Sequence, residues 1–267
     1  MSPHVKPSHS TRPRWLVRRR ECPDAAVDLY VFAHAGGSPG EYLMWSDDLD
    51  DLQLWGIGLP GRASRRGESA YDRLTPLVDD LVARTAFGRP FVFFGHSFGA
   101  LLAYETARAL RRCDRDLPDH MILSSCRPPH LLGTDSPRVA WAELTDDELL
   151  SAVEGRFGRL APQVHADERL RAVAMEPLRA DMTILDTYTY RPEPPLRIPA
   201  TVLYGTEEEE DGRLDPDGWA DHVERIDARH ALPGGHFHFR SDAAPVLQII
   251  RDTARSLAPA DQKQVTP

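Results

Sequence analysis

The sequence predicts an α/β fold: a mostly parallel central sheet, helices on both faces, and an all-helical insertion over one edge. Three observations predict it. Short apolar runs alternate with amphipathic stretches from Val27 to Leu110, and again from Ala200 to Ser256, as in folds built from parallel strands and crossover helices. Arg89–Ala109 reads as a buried strand, a tight glycine turn and a helix in immediate succession. From about residue 130 to about 195 the strand signal stops and only helical spacing remains.

The elements follow in order. Residues 1–13 are polar and proline-bearing and are expected to be a disordered lead-in. Trp15–Val17 is a short edge strand. Val27–Ala33 is a stronger strand running into His34-Ala35-Gly36-Gly37-Ser38, and Tyr42–Leu49 forms a short helix. Leu52–Ile57 is the next strand. Thr75–Thr85 has helical apolar spacing, with Thr75 placed to cap it and Pro76 in its first turn. Phe91–Phe94 and His120–Ser124 are continuous apolar runs suited to strands buried on both faces. Within the insertion, Ala140–Phe157 and Ala166–Leu185 are amphipathic helices, expected to cover the edge of the sheet where ligands bind. Their apolar residues, Trp141, Leu144, Phe157, Met175, Met182 and Tyr188 among them, are expected to be mostly core. Ala200–Tyr204 resumes the sheet, Trp219–Arg225 is a short helix, Arg229–Leu232 the last strand and Ala243–Ser256 a closing helix. One domain over 14–258 is expected, with the helical lid at about 130–195 and a flexible tail at 259–267.

Bulk properties narrow the function. A chain of 267 residues with 41% hydrophobic content can bury a sizeable core. A net charge of −9 without a Lys/Arg run argues against nucleic acid. Cys22, Cys113 and Cys126 are odd in number and far apart, which suits neither a disulfide framework nor a metal site. The sequence contains no apolar stretch of about 18 residues and no hydrophobic signal core, so a cytoplasmic monomer with reduced thiols is expected.

The turn Gly95-His96-Ser97-Phe98-Gly99 is a G-x-S-x-G between strand and helix, which sets a serine hydroxyl at a helix N-terminus. Serine is a weak nucleophile at neutral pH and needs an imidazole to take its proton. The imidazole in turn needs a carboxylate to fix its tautomer. His236, in Pro233-Gly234-Gly235-His236-Phe237 after the last strand, is the candidate base. The acidic loop Glu207–Asp211 lies between them in sequence, completing the α/β-hydrolase order of serine, acid and histidine. Glu208 is the first candidate for the acid and Asp211 the alternative; the remaining carboxylates of that run are solvated charge. The strand ending near Ser124 offers no second acid, because Ser125-Cys126-Arg127 carries no carboxylate. Backbone N–H groups of Ala35 and Phe98 are the candidate oxyanion donors. His34 is expected to brace its loop, and His96 to point into packing. His238, two residues past His236, lacks partners for a metal site.

These residues closely resemble the type II thioesterases that accompany polyketide synthases and nonribosomal peptide synthetases. The likeness runs from roughly Trp15 to Leu257. It rests on HAGGS at His34–Ser38, LPGR ending at Arg62 with Arg65 three further on, GHSFGA at Gly95–Ala100, PLRAD at Pro177–Asp181 followed by Tyr188 and Tyr190, and PGGHF at Pro233–Phe237. The resemblance implies hydrolysis of acyl groups from the phosphopantetheine thiol of an acyl or peptidyl carrier protein, with no cofactor of the enzyme's own. One departure stands out: Gly205-Thr206-Glu207-Glu208 puts glutamate where the family usually has aspartate. Carrier proteins are acidic, so Arg62, Arg65 and Arg66 are candidate docking residues. Two other readings share this fold: a small-molecule carboxylester hydrolase or acyltransferase, and a non-catalytic carrier-binding protein with a decayed site.

Overall fold

The computed structural model describes residues 15–132, 140–160, 162–210 and 214–258. The expected lead-in at 1–13 and tail at 259–267 lie outside these residues, as does Asp211. Among the described residues, seven strands form one sheet: β1 (Leu16–Val17), β2 (Asp28–Phe32), β3 (Gln53–Ile57), β4 (Phe91–His96), β5 (His120–Ser124), β6 (Leu196–Gly205) and β7 (Val223–Leu232). Their spatial order is β1-β3-β2-β4-β5-β6-β7, with β1 antiparallel to β3 and every other pair parallel.

This order places the site. The chain steps outward from β2 to β3, then crosses back over β2 to β4. The two strands that diverge from this switch point, β2 and β4, are neighbours paired from Asp28↔Phe91 to Phe32↔Gly95. A crevice opens at the carboxyl ends of strands flanking such a point, and ligands bind there. The loops carrying His34, Ser97, Glu208 and His236 all leave the carboxyl ends of strands: β2, β4, β6 and β7 respectively.

Alternation along the strands splits the core in two. After the single turn α1 (Gly40–Leu43), the first long helices are α2 (Leu74–Arg84) and α3 (Phe98–Arg112), and Tyr30, Phe32, Phe91 and Phe93 face them. Leu29, Val31, Val92 and Phe94 face the opposite layer, built from Tyr42, Trp45 and the closing helix of residues Ala244–Leu257. That helix buries Val246, Leu247, Ile250 and Ala254, spaced along one face. Each large aliphatic side chain so buried contributes about 1.5–3 kcal/mol.

The insertion has a core of its own. Helix α4 (Asp146–Phe157), the short α5 (Pro162–Ala166) and α6 (Glu168–Thr187) gather Trp141, Leu149, Val153, Met175, Leu178 and Met182 into a third apolar cluster. Ala35 and Leu185 lie at its margin, where it meets the sheet. Phe157 and Leu144 are half-buried rather than core. Among the described residues, no helix is long and apolar enough to cross a membrane.

Several boundaries differ from expectation. The lid helix expected from Ala140 begins at Asp146, because the Thr145 side chain accepts from Glu148 N–H while the Glu148 carboxylate accepts from Thr145 N–H. Asp167 likewise caps α6 and detaches it from Ala166. Helix α2 starts at Leu74 instead of being capped by Thr75; Pro76 is tolerated because first-turn N–H groups have no helical partner. The expected helix at Tyr42–Leu49 is an α-turn at Gly40–Leu43 followed by a 3₁₀ turn at Met44–Asp47. The last strand begins at Val223, six residues before expectation, and Trp219 belongs to a 3₁₀ turn at Gly218–Asp221. Glu224, Arg225, Asp227 and Arg229 hide that strand in the sequence. They decorate a sheet edge with solvent on one side, where charge is tolerated.

Candidate active site

The turn between β4 and α3 holds Ser97 at φ 55°, ψ −122°, a backbone state that non-glycine residues rarely adopt. Two things impose it. The Ser97 N–H donates to Ser124 O at 2.8 Å, tying the turn to β5. Helix α3 also starts hard against β2: a Cβ on Gly99 would sit 2.0 Å from Phe32 O, so only glycine permits the approach. Phe98 is the first residue of α3, and its N–H therefore lacks a helical acceptor and is free to meet a developing negative charge.

The loop after β2 faces this turn. Ala35 lines the same cavity as Ser97 and His236. Around it the loop is clamped: Gly37 N–H donates to His34 O at 2.9 Å, and His34 Nδ1 shares a 2.8 Å hydrogen bond with the Tyr42 hydroxyl. Burial holds the His34 ring well below the ordinary histidine range, so it is neutral. Gly36, at φ 71° and packed on Leu178, donates its N–H to Asp181 Oδ2 at 2.7 Å. Asp181 comes from lid helix α6 and also receives both ends of the Arg62 guanidinium, at 2.6 and 2.7 Å. Arg62 further donates to Gly37 O at 3.1 Å. LPGR and PLRAD thus meet on the HAGGS loop.

On the other side, Glu208 Oε1 accepts from His236 Nδ1 at 2.7 Å. The second oxygen, Oε2, accepts from Ser125 Oγ at 2.7 Å and from Gly205 N–H at 3.2 Å. Burial pushes the Glu208 carboxyl upward, but the His236, Ser125 and Gly205 hydrogen bonds outweigh it and hold the group below the ordinary glutamate range. With Nδ1 occupied, Nε2 of His236 is the nitrogen left to take a proton. Glu207 N–H donates to Gly234 O at 3.1 Å, which fastens the acidic turn (Thr206–Glu210) to the histidine loop.

Beneath His236 lies a buried polar layer. Ser124 Oγ bridges His96 Nδ1 at 2.9 Å and His238 Nε2 at 3.1 Å. His96 is pushed well below the ordinary histidine range by burial, and His238 is pushed down to about 4 by burial as well. Both rings are neutral props for the base. Among the described residues no group of three or more His, Cys, Asp or Glu is placed to hold a metal ion.

The cavity over Ser97 is roofed by Val153, Phe157, Leu178, Met182 and Leu185 of the insertion. Its volume is about 20 Å³, room for about one water. The Phe157 ring stands 4.9 Å from the His236 ring.

The docking expectation needs correction. Arg62 is 6% exposed and committed to Asp181; Arg65 is also 6% exposed, forks onto Glu68, donates to Gly58 O and stacks on Trp15. The Arg62 guanidinium is drawn inward by the buried Asp181, and that of Arg65 lies flat between Trp15 and Glu68, so neither is open to a partner. Arg66 alone of the three is exposed.

Sequence reading missed two contributors. Asp181 of PLRAD pairs with Arg62 of LPGR, and the single acid in one motif matched to the single arginine ending the other is the signal the sequence carries. Ser125, which carries no carboxylate of its own, holds one through its hydroxyl.

Known proteins resemble this chain over most of its length. A family model described as Thioesterase domain matches residues 27–256. Linear gramicidin dehydrogenase LgrE of Brevibacillus parabrevis is 33% identical over 258 residues, covering 95% of this chain and 95% of that protein. Thioesterase PikA5 of Streptomyces venezuelae is 30% identical over 243 residues, covering 89% of this chain and 84% of that protein. Among solved structures, the type II thioesterase BorB from the borrelidin biosynthetic cluster superposes with a TM-score of 0.77 at 29% identity, over 90% of this chain and 97% of that one.

Proposed function

The chain belongs to the thioesterase domain family, and from that premise we propose that Ser97, His236 and Glu208 form the triad of a serine thioesterase serving carrier proteins. The observation that carries the assignment is the 2.7 Å contact from Glu208 to His236 Nδ1, beside a cavity lined by both His236 and Ser97.

The chemistry follows from the positions. As the Ser97 oxygen bonds to the thioester carbonyl carbon, its proton passes to His236 Nε2. Glu208 stabilises the imidazolium that results. The carbonyl oxygen becomes an oxyanion between the N–H groups of Ala35 and Phe98. Collapse breaks the C–S bond, the thiol departs with the proton from His236, and the acyl group stays on Ser97. Water then repeats the sequence, releasing a carboxylic acid and restoring the serine. The substrate reading is an acyl or peptidyl group on the phosphopantetheine thiol of a carrier protein in polyketide or nonribosomal peptide assembly. It is supported by the names of PikA5, BorB and their like and by the five motifs converging on the site. Val153, Phe157, Leu178, Met182 and Leu185 of the insertion roof the cavity beside Ser97, so displacement of these helices is the route by which an acyl chain gains room.

A fluorophosphonate probe should label Ser97 of the folded protein and leave Ser97→Ala unlabelled. Rates on one acyl group presented as carrier thioester, pantetheine thioester and simple ester should fall in that order. Faster cleavage of the ester would move the protein to the carboxylester hydrolases. No labelling at all would leave the non-catalytic carrier-binding reading.

A further inference from the structure

Strand β5 ends in two consecutive serines that serve opposite sides of the site. Ser124 hydrogen-bonds downward to His96 and His238, whereas Ser125 donates to Glu208 Oε2 at 2.7 Å. Ser125 is 4% exposed, and Glu208 is its one side-chain hydrogen-bond partner among the described residues. Its N–H donates to Leu203 O at 2.8 Å, extending the β5–β6 pairing by one step. Its backbone then turns to φ 47°, the left-handed region that serine adopts seldom. Strain of this kind persists only where the surroundings over-determine it.

Glutamate explains why a hydroxyl is needed at this point. It has one more rotatable bond than aspartate, so its carboxylate sweeps a wider volume around His236. The Glu208 side chain is 12% exposed, which leaves little water to fix it. His236 holds Oε1; Oε2 has the Gly205 N–H at 3.2 Å and the Ser125 hydroxyl at the shorter 2.7 Å.

We propose that Ser125 is a positioning residue for the triad acid: its hydroxyl pins the Glu208 carboxylate, which lets a glutamate orient His236. Ser125 touches no reacting atom and acts through Glu208 alone. The hydrogen bonds that overcome burial and keep the Glu208 carboxyl below its ordinary range include this one. The proposal rests on Glu208 being the acid, and its test separates the two.

Ser125→Gly removes the hydroxyl while keeping a residue at ease with positive φ, so folding is spared. With carrier-bound or pantetheine thioesters, kcat should fall about tenfold or more, the expected loss for a hydrogen bond to a charged group, with KM changed less than about twofold. In a Glu208→Gln background the same substitution should cost less than about threefold, because the two act through one path. The His236 Nδ1 proton resonance should also broaden or vanish in Ser125→Gly. Three results would overturn the proposal: kcat within about twofold of wild type, an equal loss with and without Glu208, or a fall carried by KM. If Glu208→Gln itself costs less than tenfold, the triad reading fails instead.

Discussion

His236 and the loop carrying Ala35 face one cavity, yet they are held by different parts of the chain. The His236 side rests on the sheet. Glu208, Ser125, Ser124, His96 and His238 all lie at or beside the ends of β4 to β7 and bond in two sets, Ser125–Glu208–His236 and His96–Ser124–His238. The loop carrying Ala35 rests on the lid: its Gly36 N–H is satisfied by Asp181 of α6, and its Gly37 carbonyl by the Arg62 that Asp181 holds. The proposed base is therefore braced by the ends of sheet strands, whereas of the two proposed oxyanion donors Phe98 sits at the turn from β4 into α3 and Ala35 on a loop tied to the inserted helices.

The largest expected effect tests the sheet side. Glu208→Gln should lower kcat by about 10³–10⁴-fold with stability little changed, since the neutral amide no longer fixes the required tautomer. Steady-state kinetics beside a thermal melt would check both halves of that statement.

The lid side should respond in the opposite balance. Asp181→Ala strands a buried guanidinium and costs about 3–5 kcal/mol of stability, a fall in Tm of roughly 6–20 °C. Replacing the pair by Arg62→Met with Asp181→Leu should restore most of the melting temperature, because apolar isosteres remove the stranded charge. Turnover should stay depressed in that double variant, as Gly36 N–H still lacks its acceptor. Full recovery of kcat would mean that the pair serves stability only.

A titration sharpens the sheet side further. In the unfolded chain His238 takes a proton below its ordinary value of 6.5, but in the fold burial delays this to about 4. The unfolded state thus binds more protons throughout that window. Stability is full above pH 6.5 and should decline by about 3 kcal/mol for His238 alone as pH falls to about 4. Denaturant midpoints measured at pH 7, 5.5 and 4.5 would show it.

Phe157→Ala gives the smallest effect. Opening the roof over His236 should raise kcat/KM for longer acyl chains by a few-fold, about 1 kcal/mol, and leave acetyl substrates unchanged. A chain-length series would reveal the difference.

The same division marks what could be read from the sequence. The parallel sheet was legible because its strands are continuous apolar runs, and the β4–α3 turn because glycine spacing dictates its backbone. Ser97, the Gly234-Gly235 turn and the acidic run are local signals, and folding only had to bring them together. Asp181 and Arg62 are 119 residues apart and polar, so nothing local marked them as interior. Arg62 and Arg65 looked like surface charge for the same reason: burial of a guanidinium is decided by its partner. Ser125 is silent in the sequence because a hydroxyl that anchors a carboxylate carries no motif. The edge strand β7 was cut short in the reading because alternating Arg, Asp and Glu obscured its period of two.

Asp181 has one more consequence, which concerns reciprocity. A single carboxylate on helix α6 grips the loop carrying Ala35, so a displacement of either is felt by the other. By thermodynamic necessity, whatever factor lid closure contributes to ordering the loop, an oxyanion lodged in the loop returns to lid closure. The roof should be held shut most firmly at the moment the tetrahedral intermediate exists, and released when the charge is gone.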